Sequence, residues 1–209
     1  MCLPALSQSQ PAPVLAPSAE APLSMVGRAE VLVDPGGAMT LEQASAAPGW
    51  RVLAPRQQFA AAPAAVWLRW RHAGEPGVVE LPRNVVHHAA LYQLGAQGHW
   101  RLLEAGDHVD PARWPLRAPK VAFPVRHGPD GQPADTYLRL MHADPYVVTP
   151  LLWQREAYQS SRTLEHVWIG LFLGVVVMAL AFMLGEVLLR RDAVCAWFAL
   201  HVLTMAVFQ

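Results

Sequence analysis

The sequence predicts a mainly β protein: a β-sandwich of jelly-roll type followed by transmembrane α-helices, one complete and one truncated. Three observations predict it. Short runs of alternating apolar and polar residues recur before residue 154, separated by glycine- and proline-rich turns. The 19 prolines and 14 glycines lie mostly in that region. Beyond Glu165 the chain becomes almost purely apolar. Hydrophobic residues make up 53% of the 209 and charged residues 15%, with 16 basic and 16 acidic side chains. That balance carries no electrostatic footprint for nucleic acid.

The chain opens on MCLPALSQSQPAP, which reads either as a Pro/Ala-rich disordered leader through about residue 24 or as the tail of a signal peptide. The second reading expects a start upstream and cleavage near Ala5–Ser7. Cys2 and Cys195 stand at opposite ends of the chain and predict no disulfide.

The sandwich is expected over residues 25–153. Its strands are read at Ala29–Val33, Ala65–Arg71, Gly77–Leu81, Val86–Leu94, Trp100–Leu103, Lys120–Arg126, Thr136–Met141 and Tyr146–Trp153. Asp34-Pro-Gly-Gly, Gly74-Glu-Pro-Gly, Gly128-Pro-Asp-Gly-Gln-Pro and Asp144-Pro punctuate them. One helix is expected at Leu41–Ala46, with Thr40 as N-cap and Gln43 completing a capping box.

Alternation assigns faces. Val66, Leu68 and Trp70 share one side of their strand, and Leu138 and Leu140 one side of theirs; these should pack the core. The opposite side then carries Trp67, Arg69, Tyr137 and Arg139, if the two strands are neighbours. Two roles are open for these four. Aromatic plates beside guanidinium groups suit a carbohydrate or small carboxylate ligand, by stacking and bidentate hydrogen bonding. Alternatively the rings pack under a neighbouring element and the arginines form structural ion pairs.

No nucleophile elbow, phosphate-binding loop, dinucleotide-binding glycine pattern, HExxH motif or cyclase signature is present, and no pair of carboxylates invites acid/base chemistry. The chain is not expected to be an enzyme, and no cofactor or metal is expected. His87, His88, His99 and His108 read as surface or turn histidines, because adjacent strand residues point to opposite faces. Asp107 and Asp110 come nearest to a calcium set.

Residues 154–166 form a polar linker without Gly or Pro, able to continue a membrane helix outward. Val167–Leu189 is the first span. Its first 19 residues are uncharged, and 23 residues at ~1.5 Å each cover roughly 34 Å, more than a hydrocarbon core of about 30 Å. Gly170 and Gly174 offer a close helix contact, and Glu186 stands one turn from Arg190. Residues 193–209 begin a second span that includes His201 and Thr204. Arg190 and Arg191 between the spans belong on the cytoplasmic side by the positive-inside bias, which puts the sandwich outside the cytoplasm.

The order of Trp67-Leu68-Arg69, Tyr137-Leu138-Arg139, Leu152-Trp153 and Val167–Gly174 (VWIGLFLG) is supported by Gly49-Trp50, Gly106-Asp107 and Phe123-Pro124. It resembles the bacterial seven-transmembrane receptors with diverse intracellular signalling modules. The resemblance runs from Ala29 to Gln209. It departs at Phe182–Asp192, which keeps an Arg-Asp turn but not the family's asparagine. It implies an extracytoplasmic jelly-roll sensor similar to carbohydrate-binding modules, anchored in the bacterial inner membrane. It further implies five more helices and a cytoplasmic output, commonly a diguanylate cyclase or histidine kinase, beyond Gln209. The expected partners are the lipid bilayer, a small-molecule or glycan ligand and a second copy of the chain in a homodimer. The alternative function is a membrane-anchored carbohydrate-binding or cell-envelope protein without signalling.

Overall fold

A computed structural model describes residues 11–82, 86–95, 98–128 and 131–190, together with Trp197, Phe198, His201, Leu203 and Thr204. The chain divides into two compact units, residues 1–158 and 159–209.

The first unit is a β-sandwich. In chain order its strands are β1 (Val14–Leu15), β2 (Leu23–Ser24), β3 (Glu30–Asp34), β4 (Arg51–Val52), β5 (Gln58–Phe59), β6 (Ala65–His72) and β7 (Gly77–Glu80). There follow β8 (His88–Leu94), β9 (Trp100–Ala105), β10 (Ala122–Val125), β11 (Ala134–Met141), β12 (Tyr146–Val147) and β13 (Leu151–Gln154). The larger sheet runs β4-β3-β6-β11-β8-β9, with β1 parallel to the end of β6. The smaller runs β10-β7-β13-β2, and β12 pairs with β5 separately.

The core lies between the sheets. Val66, Leu68, Trp70, Leu138 and Leu140 face Val79, Phe123, Val125 and Leu152, as the alternation predicts. Burying each such side chain contributes about 1.5–3 kcal/mol. The short helix α1 (Leu41–Ala46) forms where expected. Thr40 accepts the Gln43 N–H, and the Gln43 side chain accepts the Thr40 N–H at 2.9 Å. The preceding turn is built by Asp34, whose carboxylate accepts the N–H groups of Gly36, Gly37 and Met39. Gly37 sits at φ +63°, and a side chain there would strike the Pro63 carbonyl.

Two sequence expectations meet a different structure. Residues 11–24 fall in the stretch expected as a leader, yet they supply β1 and β2, because Leu15 finds a place in the core and Leu23 packs against it. The last strand, expected as continuous from Tyr146 to Trp153, is two strands in two sheets, broken around Pro150. The polar stretch at 154–166 continues the helix outward, as its lack of Gly and Pro allows: it is helical from Arg155 onward.

The second element class is one helix, α2 (Arg155–Arg190), of 36 residues. It is long and apolar enough to cross a membrane, with a mean hydropathy of 2.7 over its most apolar window. Trp168, Phe172, Met178 and Phe182 are all more than half exposed, and water is a poor solvent for such a surface. The side chain of Arg190, and all of Arg191, Asp192, Cys2 and Cys195, lie outside the described residues, as does most of the second span expected at 193–209.

Candidate ligand-binding face

Neighbouring strands bring the four predicted residues together. β6 and β11 pair antiparallel in the larger sheet, so Tyr137 stands opposite Arg69 and Arg139 opposite Trp67. The register extends this into one row across the outer face: Val52, Glu30, Arg69, Tyr137, Tyr92 and Leu102. A second row runs Leu32, Trp67, Arg139, Ala90 and Glu104.

This face is not open throughout. Met39, Leu41, Ala44 and Trp50 fold across it and form a second small core with Leu32, Trp67 and Tyr137. Trp67 is fully buried (0% exposed), stacked on Tyr92 at 5.7 Å and 27°. Arg69 is 6% exposed; its Nε donates to Glu30 at 2.6 Å, and its guanidinium lies 4.6 Å from the centre of the Trp50 ring. Arg139 donates from Nη2 to the Gly37 carbonyl at 2.6 Å and lies 6.0 Å from the Trp67 ring. Trp67 and Arg69 therefore serve the fold here. Their ring and charge are spent on internal partners because α1 and Trp50 cover them.

Other residues of the same face reach solvent. Trp100, at the start of β9, is 42% exposed. It meets Tyr137 edge-on at 5.7 Å, and Trp50 meets Tyr137 edge-on at 6.1 Å from the other side. Trp50 is half-buried and is oriented by its indole N–H, which donates to the Ala44 carbonyl of α1 at 3.2 Å. Burial raises the Tyr137 hydroxyl above its ordinary pKa, and Asp135 adds to this while Arg69 opposes it. Burial also raises Tyr92, with Arg139 opposing and Glu104 reinforcing the shift. Both phenols stay neutral and keep a hydroxyl able to donate and accept. The result is a rim of Trp50, Tyr137 and Trp100 held on a rigid sheet.

Sequence reasoning treated Trp50 and Trp100 only as a short motif and a strand start. Their meeting depends on the order β6-β11-β8-β9, which no local pattern reveals. The same is true of His142, whose ring lies 5.3 Å from that of His87, itself 4.9 Å from His108. Gly106 permits that approach: at φ +121° it lies so close to the Val86 and His87 carbonyls that a Cβ would stand 2.6 Å from the latter. Among the described residues no group of three or more histidine, cysteine, aspartate or glutamate side chains is placed to hold a metal. Asp110 instead caps a 3-10 turn at Pro111–Arg113, accepting the Ala112 N–H at 2.9 Å.

The exit from the sandwich is equally defined. β13 passes into α2 without an intervening residue. The Trp153 indole donates to Glu80 of β7 at 2.9 Å, and the Arg155 N–H donates to the Pro76 carbonyl. Tyr158, on the first turn of α2, is 7% exposed and packs with Val78, Ala122 and Trp153.

A model of the family 7TMR-DISM extracellular 2 matches residues 27–154, more than half of the chain. The chain belongs to this family. No curated protein matches it. Membership in 7TMR-DISM extracellular 2 makes the sandwich the sensor domain of a seven-transmembrane receptor family. With α2, the chain is that of a membrane protein whose N-terminal domain is extracytoplasmic.

Proposed function

We propose that this chain is the N-terminal sensor portion of a bacterial inner-membrane signalling receptor. It binds an extracytoplasmic glycan on the outer face of the larger sheet and relays occupancy through α2 to a cytoplasmic output. One observation carries the relay: β13 and α2 are continuous, and the first turn of the helix is locked to the smaller sheet through Trp153, Arg155 and Tyr158. A helix that leaves a strand without a break transmits a tilt or rotation that a flexible linker would absorb.

The ligand class follows from what the face still has to offer. The Arg69 guanidinium is committed to Glu30 beneath Trp50, which argues against a carboxylate read by that arginine. Trp50 and Trp100 meet the Tyr137 ring edge-on, an aromatic set with a phenol in it that suits a sugar, whose C–H face packs on a ring while its hydroxyls hydrogen-bond. Sensing also requires that the ligand bind two packings of the receptor unequally.

The test is glycan-array binding by the whole chain in lipid nanodiscs, followed by titration of the best hit. Trp100→Ala and Trp50→Ala should each weaken binding about tenfold. Trp100→Ala should leave thermal stability near wild type, whereas Trp67→Ala should destabilise the domain by roughly 3–5 kcal/mol. Unchanged affinity in both rim variants would remove the site from this face. Binding that leaves the output of a full-length receptor unchanged would favour an anchored envelope-binding protein.

A further inference from the structure

A cleft of about 240 Å³ opens at one end of the sandwich, away from the outer face of the larger sheet. Its apolar walls include Leu81, Val86, Leu140, Tyr146 and Val148, and its polar lining includes His142 and Asp144. Tyr146 is fixed by its hydroxyl, which donates to the Leu140 carbonyl at 3.2 Å, and burial keeps that hydroxyl from ionising.

The polar groups form a complementary pair. The Asp144 backbone N–H donates to His142 Nδ1 at 3.0 Å, so the neutral ring carries its proton on Nε2. The Asp144 side chain is exposed and is an acceptor. A cleft with apolar walls and with His142, Asp144 and Thr149 in its polar lining suits a molecule with an apolar body, an anionic acceptor and a cationic donor. Scaling from a cavity of about 150 Å³ that holds benzene, the chamber takes about ten non-hydrogen atoms.

We propose that this cleft is a second binding site, for an apolar amino acid whose side chain enters the chamber while its ammonium pairs with Asp144 and its carboxylate accepts from His142 Nε2–H. Leucine and phenylalanine, of about nine and twelve non-hydrogen atoms, bracket the size. The His87 and His108 rings extend the cluster behind His142. Leu81 directly follows β7, and Val148 lies three residues before β13. β7 and β13 pair along Gly77–Glu80, so an occupant braces the strand pair that leads into α2. That last consequence rests on the relay proposed above; binding in the cleft does not.

Calorimetric titration of the whole chain in nanodiscs with L-phenylalanine and L-leucine tests the site, with 3-phenylpropionate and 2-phenylethylamine as probes lacking one charged group each. At least one amino acid should bind, and each single-charge probe at least tenfold more weakly. His142→Ala and Asp144→Asn should each weaken the amino acid at least tenfold, with Asp144→Asn unchanged in Tm without ligand. Hydrogen exchange should slow at residues 146–153 on binding. Absence of heat with both amino acids up to about 10 mM overturns the proposal. So does 3-phenylpropionate binding as tightly as phenylalanine, or affinity that survives both substitutions.

Discussion

Two roles are open to an arginine on a strand face, a ligand contact or a structural ion pair, and at 6% exposure the Arg69 guanidinium meets Glu30 at 2.6 Å and the ring of Trp50. Removing one partner of such a pair leaves a charge stranded, so Glu30 and Arg69 belong to the fold before they belong to any ligand. His72 carries a second consequence. It is fully buried, its Nε2 donates to the Glu75 carbonyl at 3.1 Å, and burial holds its pKa down to about 4, against the Glu75 bond, which raises it, and with a further lowering from His127. The unfolded chain takes up this proton near 6.5, whereas the folded one resists until about 4. Between those values the unfolded state binds more protons, so stability falls as the medium is acidified, by about 3 kcal/mol from this group. Urea midpoints at pH 7 and pH 4.5 should differ clearly in the wild type and less in His72→Gln, which keeps a donor for Glu75. Identical pH dependence in the two proteins would assign the effect to other groups.

The elements divide into those written locally and those assembled. α1 is local: Thr40 and Gln43 cap it within one turn, and the sequence shows both. β6 and β11 are legible for the same reason, since period-two alternation exposes which side faces the core. β1 and β2 are two residues each and have no period to read; β1 pairs with the end of β6 that β3 does not reach, and β2 with the edge of β13. The joint between β13 and α2 is the element on which the proposed relay depends. Inserting Gly-Gly after Ser160, beyond the turn anchored by Tyr158, interrupts the helix with residues costing about 1 kcal/mol each. In a full-length receptor carrying this segment, ligand binding should persist and the signalling response should disappear. A response of normal amplitude would show that the helix does not carry the message.

Across the whole molecule the decisive property is sidedness. The family match places the sandwich among extracytoplasmic sensor domains, and α2 has the length and apolar surface to cross a bilayer. In intact spheroplasts, protease added outside should therefore cleave before Glu165, and an alkaline phosphatase fusion ahead of α2 should be active. Protection of that region until the membrane is permeabilised would reverse the topology. The sequence by itself determined the β-sandwich, its core face, the capped helix and the apolar span, because periodicity, capping and length are properties of contiguous residues. Only the tertiary structure decided that Trp67 and Arg69 lie beneath Trp50, that Trp100 reaches Tyr137, and that His87, His108 and His142 gather beside a cleft. Those contacts join residues tens of positions apart, and their distances follow from strand order and register, which no single segment encodes.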